Sequence, residues 1–312
     1  MKILICPLNW GLGHASRCVP IIRNLITEGH NVTIVADGFP LEFLRLQFPK
    51  LSFIELPSYP INYSSGKSQV WAMSKSLPNI LCGIYNEHQW LKNLLKTEHF
   101  DQVISDNRFG MWNKNCRSIY ITHQLMIKMP RALKFLEHLA WFLHRLIINR
   151  YDECWIPDNA GNTNLSGDLS HKYSLPNHAK FIGLLSRFDI VDKSEIDTRY
   201  EVVAILSGIE PQRTIFEEQL ICRFQNTKQK VLILLGRPTT LNKYNYLNNI
   251  TLVSHLADNE LIAILNGSNK IISRSGYSSI MDYHVLGCLE KVEMIATPGQ
   301  TEQEYLQGLH GK

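Results

Sequence analysis

The sequence predicts an α/β protein built from two doubly wound, Rossmann-like domains that face one cleft. Three observations lead there. Apolar strands alternate with helical patterns along the whole chain, and the pattern restarts at Val202. Turns bearing glycine and serine follow several strands, the setting in which backbone amides gather around a ligand at a sheet edge. A chain of 312 residues is too long for one ordinary core and suits two domains of about 150 residues each.

Taken in order, Lys2–Cys6 is an apolar strand, followed by the loop Asn9–His14 and a helical pattern through Leu25. Gly29-His30 ends that helix, and Asn31–Ala36 is the next strand. Strand, glycine loop, helix, strand is one βαβ unit with a right-handed crossover. Leu41–Phe48 is predicted helical, Leu51–Leu56 extended and Trp90–Thr97 helical. Gln102–Ser105, Ile119–Thr122 and Glu153–Ile156 are further strands. In the second half Val202–Ser207 is a strand and Thr214–Phe224 a helix. Lys230–Leu235, Thr251–Val253, Lys270–Ser273 and Val292–Ala296 continue as strands. Such alternation argues for parallel sheets covered on both faces. The polar stretch Asp158–His178 reads as the linker, dividing the chain into a domain over 1–160, a linker over 161–178 and a second domain over 179–312. A chain of this plan is expected to finish with a helix crossing back to the first domain. It stops at Gly311-Lys312, so that closing element is expected to be missing.

Composition narrows the function. A net charge of +4 is too mild for a nucleic-acid coat, and no nucleic-acid partner is expected. Seven cysteines without a CxxC pair read as reduced thiols in a cytoplasmic protein. Met1–Cys6 breaks at Pro7, so it is a buried strand and not a signal core. No apolar run approaches the roughly 18 residues of a spanning helix. The segment 125–150 mixes Lys128, Arg131, Lys134, Arg145 and Arg150 with Leu, Phe and Trp. It reads either as a core helix with a solvated face or as an interfacial helix at a membrane surface.

The candidate site residues lie at strand ends. Gly11-Leu12-Gly13-His14 is not the dinucleotide fingerprint, because its third glycine is absent: Ser16 stands there, followed by Arg17. His14 opens a helix whose positive end favours the neutral imidazole, the form a general base needs. It reads either as that base or as a cap of its own helix. Asp106 can orient His14, receive its proton, or cap the next helix. Asn107 and Arg108 share its sheet edge. His123, after the next strand, is either an acceptor-side residue or a structural one. Ser207 and Gly208, followed by Arg213, form a turn and helix start suited to a pyrophosphate. Main-chain groups at Leu256 can read a base edge, with the side chain stacking on the ring. Arg274, Ser275 and Gly276 make another strand-to-helix turn, and Asp282 can accept from a ribose diol. No Asp-x-Asp triplet is present, so phosphate charge is expected to be met by amides and arginine, with no metal and no cofactor.

These residues resemble the GT-B glycosyltransferases. The likeness rests on the two-domain plan, Gly11-Leu12-Gly13-His14, Arg274-Ser275-Gly276 with Asp282, and Pro298 through Gln303. The nearest branch is glycosyltransferase family 28, with its peptidoglycan N-acetylglucosaminyltransferase. Ser207-Gly208-x-Glu210-Pro211-Gln212-Arg213 and Pro298-Gly299-Gln300-Thr301-Glu302-Gln303-Glu304 look like a bacterial subgroup of predicted glycosyltransferases. The resemblance implies an inverting, metal-independent transfer from a uridine-type nucleotide-diphosphate sugar to a hydroxyl acceptor, lipid-linked or a cell-envelope glycan precursor. It implies that His14 is the base or lies at the acceptor and diphosphate junction. Ser207, Gly208 and Arg213 would hold the diphosphate, Leu256 the base and Asp282 the ribose. Gln300, Thr301, Glu302 and Gln303 would hold the sugar hydroxyls. Asp282 stands where the peptidoglycan enzyme has Glu, and the paired Gly-Gly before His is absent. Two rivals remain: a nucleotide-sugar epimerase on the same plan, and a non-catalytic sugar-nucleotide-binding protein.

Overall fold

The computed structural model describes residues 1–58, 69–189, 195–238 and 244–311, with the side chains of 69–76 and of Arg131 left aside. Its first half runs β1 (Lys2–Pro7), α1 (Leu12–Thr27), β2 (Asn31–Ala36), α2 (Gly38–Gln47), β3 (Ser52–Glu55) and α3 (Gln69–Thr97). There follow β4 (Gln102–Asp106), β5 (Arg117–Ile121), a 3₁₀ turn over Arg131–Leu136, α4 (Glu137–Ile148), β6 (Glu153–Ile156), the single turn α5 (Asp168–His171) and β7 (Ala179–Phe181). The seven strands form one sheet in the order β3-β2-β1-β4-β5-β6-β7, every pair parallel. Ile3, Leu4, Ile5 and Cys6 are all fully buried. A strand covered on both faces shows a continuous apolar run, not an alternation.

The second half runs β8 (Val202–Ile205), α6 (Gln212–Phe224), β9 (Val231–Leu234), β10 (Tyr244–Leu247), β11 (Ile250–Val253) and α7 (Asp258–Gly267). It ends with β12 (Lys270–Ser273), α8 (Tyr277–Val285), β13 (Val292–Met294) and α9 (Thr301–His310). Its sheet order is β10-β11-β9-β8-β12-β13, parallel except where β10 meets β11. That antiparallel edge strand is absent from the sequence reading. It is exposed throughout, so no apolar pattern marks it. The turn that returns it to β11 places Asn248 at φ 53°, a left-handed conformation that asparagine tolerates.

Each sheet reverses direction once, which fixes where ligands bind. In the first, successive strands run outward from β1 on one side and from β4 on the other; in the second, β8 and β12 flank the reversal. A crevice opens outside the carboxyl ends of the strands at such a point. The loop after β1 and the end of β4 carry His14 and Asp106. The loops after β8 and β12 carry Ser207–Arg213 and Arg274–Gly276.

Two expectations need correction. Ala179–Phe181 pairs in parallel with β6, so the first sheet extends to Phe181 and a domain boundary at 179 cuts through it. The chain leaves the first sheet after Phe181 and joins the second at Val202. Nor is 161–178 a solvated linker. Leu165 and Leu169 are buried in the core of the second domain. Asp158, fully buried, accepts from the backbone N–H groups of Leu165 and Ser166 and from the Ser166 hydroxyl. The polar composition is spent on the segment's own backbone donors and not on water.

Helix α9 makes contacts of its own with the first domain and with the 158–171 segment. Its Thr301 hydroxyl donates to the Lys128 carbonyl at 2.7 Å, and His310 Nε2 lies 2.7 Å from the Leu165 carbonyl. The Tyr305 hydroxyl accepts from the Asp168 N–H at 2.7 Å.

Arg108, expected at the ligand crevice, is instead an internal brace. It is fully buried, its Nε donates to Glu87 on α3 at 2.7 Å, and its Nη groups reach the Leu56 and Pro57 carbonyls. Breaking one side of a buried pair leaves an uncompensated charge, at a cost of about 3–5 kcal/mol. Arg108→Met is therefore expected to lower unfolding free energy by about that amount in a denaturant titration. The double variant Arg108→Met, Glu87→Leu is expected to recover most of the loss.

Candidate functional site

The two reversal points face each other across a narrow gap. Gly11 adopts φ 97° and Gly208 φ 99°, backbone conformations that glycine alone adopts readily. A Cβ on Gly11 would lie 3.5 Å from the Gly208 nitrogen, and one on Gly13 would lie 3.1 Å from the Ser278 hydroxyl. The first glycine loop thus abuts the β8–α6 loop and the start of α8. Beside this contact lies a cavity of about 360 Å³ between Asn9–Leu12 and Asp37–Pro40 of the first domain and Ser207–Arg213 of the second. That is within the range of small-ligand sites.

His14 and Arg17 lie three residues apart on α1 and so share one helix face. Both converge on Asp106 at the end of β4. His14 Nδ1 is 2.9 Å from Asp106 Oδ1. Arg17 donates from Nε to Oδ2 at 2.5 Å and from Nη2 to Oδ1. Asp106 is fully buried. Burial by itself would raise its pKa, but the Arg17 guanidinium and His14 outweigh it and hold the carboxyl well below the usual range. An ionised carboxylate only accepts. The proton between Asp106 and His14 therefore belongs to Nδ1, and the lone pair of the neutral ring is at Nε2. Burial keeps His14 neutral, lowering its pKa with help from the Arg17 charge, while Asp106 pulls the other way. The His14 side chain is 13% exposed. Nε2 has no hydrogen-bond partner among the described residues. Of the two readings of His14, the geometry favours a held, aimed imidazole over a helix cap.

His123 joins the same cluster. Its Nδ1 lies 2.9 Å from Arg17 Nη1, its Nε2 lies 2.8 Å from Glu302 Oε1 on α9, and its ring stacks on Tyr277 with centroids 4.3 Å apart. Tyr277 ties α8 to the first domain by donating to the Pro157 carbonyl at 2.8 Å. Asn107, with φ 56°, turns the chain after β4 and accepts from the Tyr120 hydroxyl.

Other predicted ligands are engaged within the protein. Arg213 donates to Glu210 at 2.7 Å, to Glu217 at 3.0 Å, to Thr214 and to the Leu235 carbonyl. It braces the β8–α6 loop and is not free to meet a phosphate, which leaves the amides around Ser207 and Gly208 as that loop's donors. Arg274 is buried against Phe216, its centre 4.0 Å from the ring, and donates to the Ala296 and Gln212 carbonyls. Its distance from any carboxylate shows in a pKa lowered by burial to about 10. The Leu256 side chain is core, so it does not stack on a base. Ser275 donates to the Gln303 carbonyl, and the Gln303 side chain accepts from the Thr297 N–H. These two shape the turn at Gly276 and the loop before α9. Gln300 is the N-cap position of α9, and Glu302 lies in its first turn, where the helix dipole favours a carboxylate. Asp282 accepts from Ser186, in the segment between the sheets, at 2.6 Å.

The sequence reading missed Tyr277, though it sits inside the quoted Arg274–Asp282 stretch. It also missed the junction of Arg23, Gln47, Arg187 and Asp258. Arg23 donates to the Arg187 carbonyl at 2.6 Å, and Gln47 to Asp258 at 3.2 Å. Only the fold brings these together.

No protein-family model matches the sequence, and no curated protein matches it. Solved structures do. The glycotransferase of kitacinnamycin superposes with a TM-score of 0.61 over 99% of this chain and 84% of that one, at 16% identity. Spinosyn rhamnosyltransferase SpnG, complexed with thymidine diphosphate, gives 0.58 over 99% and 84%, at 13% identity. A putative UDP-N-acetylglucosamine 2-epimerase from Listeria monocytogenes gives 0.53 over 99% and 87%, at 12% identity. At such identities the likeness establishes the fold: the chain has the GT-B architecture, as the resemblance of its motifs and two-domain plan implies.

Burial raises the Asp282 pKa to about 6 despite the opposing pull of Arg187 and the Ser186 hydrogen bond. A carboxyl with a folded pKa above its unfolded value contributes stability that is full below the unfolded pKa and lost as pH rises through the folded one. Wild-type melting temperature is thus expected to carry a component that falls between pH 4 and about 6. In Asp282→Asn, a series of thermal melts is expected to lack it.

Proposed function

We propose that the protein is a glycosyltransferase that moves a sugar from a nucleotide-diphosphate donor to a hydroxyl acceptor with inversion. The observation that carries this is the His14–Asp106 pair at one reversal point, set directly against the amide-bearing loops at the other. His14 Nε2 takes the proton of the acceptor hydroxyl, and the ionised Asp106 stabilises the imidazolium that results. The acceptor oxygen bonds to the anomeric carbon from one face. The bond from that carbon to the phosphate oxygen breaks on the other, and the nucleoside diphosphate leaves with the electron pair. Amides of Ser207 and Gly208 and the N-terminus of α6 meet its charge, with Arg213 holding their loop in place. Asp282, Gln300 and Thr301 remain the ribose and sugar contacts this reading assigns. Uridine or thymidine diphosphate sugars are the donors to test first, since proteins of the same fold are described with each.

The surface of the first domain supports an acceptor carried on a membrane. Phe135, Leu139, Phe142, Leu143 and Leu146 are 48–76% exposed, at spacings that place them along one outward stripe of the 3₁₀ turn and α4. Glu137, His144 and Ile148 face inward. Lys134, Arg145 and Arg150 flank the stripe, and none is in an ion pair among the described residues. On α3, Leu77, Leu81 and Tyr85 are 54–62% exposed and also repeat every four residues. The register Cys6–Ser105–Tyr120–Cys154 places all four side chains on one sheet face. Leu91 of α3 packs with Cys6, and Ile148 of α4 packs with Tyr120 and Cys154. Both helices therefore cover that face and turn apolar residues outward. Apolar stripes rimmed by cations fit an anionic lipid surface. No helix among the described residues is long and apolar enough to cross a membrane.

Three outcomes are expected. Incubation with UDP- or TDP-sugars and a hydroxyl acceptor panel should yield glycosylated product and free diphosphate, detected by mass spectrometry, and His14→Ala should lose about 10²-fold or more in rate. Isomerisation of the sugar without acceptor would transfer the assignment to an epimerase. Saturable nucleotide binding without turnover would make it a binding protein. Because burial lowers the His14 pKa, the acid limb of kcat/KM should lie below the pH of an ordinary histidine, and a limb at or above that pH would contradict the base assignment. Phosphatidylglycerol vesicles should cosediment the wild type, and the double variant Phe142→Glu, Leu146→Glu should stay in the supernatant with its transfer to a soluble acceptor unchanged.

A further inference from the structure

A continuous file of side chains joins the two walls of the cleft: His14, Asp106, Arg17, His123 and Glu302, each within 3.0 Å of the next. The first four belong to the first domain and Glu302 to the second. Arg17 is 1% exposed and is the branch point. Its Nε and Nη2 are occupied by Asp106, and its Nη1 is turned to His123.

Hydrogen-bond polarity fixes where the protons are. A guanidinium only donates, so the His123 Nδ1 that faces it must be an acceptor. The His123 proton is then on Nε2, where it is donated to Glu302. On the other branch Asp106 accepts from His14 Nδ1–H. The two histidines therefore hold opposite tautomers, and the same guanidinium specifies both: one directly, the other by orienting the carboxylate. Arg17 Nη2 also lies 3.0 Å from His14 Nδ1; that nitrogen faces a donor and the ionised Asp106 together, and the carboxylate, which can only accept, assigns it the proton. Tyr277, stacked on His123 at an interplanar angle of 3°, holds that ring flat in the plane where it can reach both partners.

We propose that Arg17 and His123 are positioning residues that couple the donor-side carboxylate Glu302 to the imidazole of His14. Arg17 leaves His14 with its lone pair at Nε2, toward the cleft. His123, locked in the opposite tautomer, holds the Glu302 end of α9 against the first domain. The idea rests on the glycosyltransferase reading only for the words donor and base; the proton arrangement stands apart from it. A carboxylate presented to a sugar hydroxyl would have to share or give up the His123 proton, so donor engagement at Glu302 is felt along the file. Other titratable groups facing the file are Cys18, whose thiol lies 3.7 Å from Asp106, and the Tyr277 hydroxyl, whose pKa burial raises.

Long-range ¹⁵N–¹H correlation on the ligand-free, uniformly labelled full chain reads histidine tautomers without any substrate. At pH 7.5 His14 is expected as the Nδ1–H tautomer and His123 as the Nε2–H tautomer. His123 found as Nδ1–H, or protonated on both nitrogens, would overturn the proposal. Two variants extend the test. Arg17→Met should release His123 into a tautomer mixture and move the His14 titration midpoint upward, since it removes a neighbouring cation. That change strips a buried carboxylate of its partner, so Glu302→Ala, on a side chain 21% exposed, serves where it fails to fold. Glu302→Ala should move the His14 midpoint downward, because it removes an anion from the file. His14 signals superimposable on wild type in a folded Glu302→Ala protein would show the two walls to be uncoupled. A protein that transferred no sugar but showed both tautomers would sink the catalytic reading and leave this one standing.

Discussion

One buried carboxylate organises this site. Asp106 ends a central strand of the first sheet, has no access to water, and accepts from His14, from two nitrogens of Arg17 and from the Cys18 thiol. An isolated charge there would be prohibitively costly. The Arg17 guanidinium makes it affordable, and the pairing then dictates everything near it. It holds the start of α1 over the end of β4, sets the His14 tautomer, and leaves one arm of Arg17 to reach His123. Removing Asp106 would strand a buried cation as well as the base, so its loss should affect folding and chemistry together.

Topology decides that this arrangement faces a ligand. Both sheets reverse their strand order once, and both sets of chemistry-bearing loops lie at the reversals. Gly11 and Gly208 stand close together where the walls meet, and each takes a positive φ, 97° and 99°, that glycine adopts readily. Helices α8 and α9 add contacts on the other side, from Tyr277 to Pro157, Thr301 to Lys128, Tyr305 to Asp168 and His310 to Leu165.

Much of this was legible in the sequence, for a physical reason. Strands buried on both faces write themselves as short apolar runs, and the loops after them carry glycine where the backbone must turn or approach closely. That was enough to place His14, Asp106, Ser207 and Gly208 at one cleft. Pairing was not legible. An arginine after a strand reads the same whether it meets a ligand or an acid of its own chain. Arg108 finds Glu87 from 21 residues away, and Arg274 finds only carbonyls and Phe216. Arg213 is the exception: Glu210 and Glu217, three and four residues off, are at helix-pairing distances visible in the sequence. Contacts such as His123 to Glu302, 179 residues apart, exist only once both domains have folded and met. The polar stretch 158–178 misled for a related reason, since composition does not say whether polar groups serve water or the backbone.

The site depends on Asp106 being ionised at every pH where the protein works, because that charge assigns the His14 proton to Nδ1 and its lone pair to Nε2. Carbon-13 NMR of the Asp106 carboxyl, followed from pH 7 down to pH 4 in the folded protein, measures this directly. The predicted result is the chemical shift of an ionised carboxylate, unchanged across the range. A carboxyl already moving toward the protonated shift at pH 5 would contradict it, and the aimed imidazole of His14 would lose its physical basis.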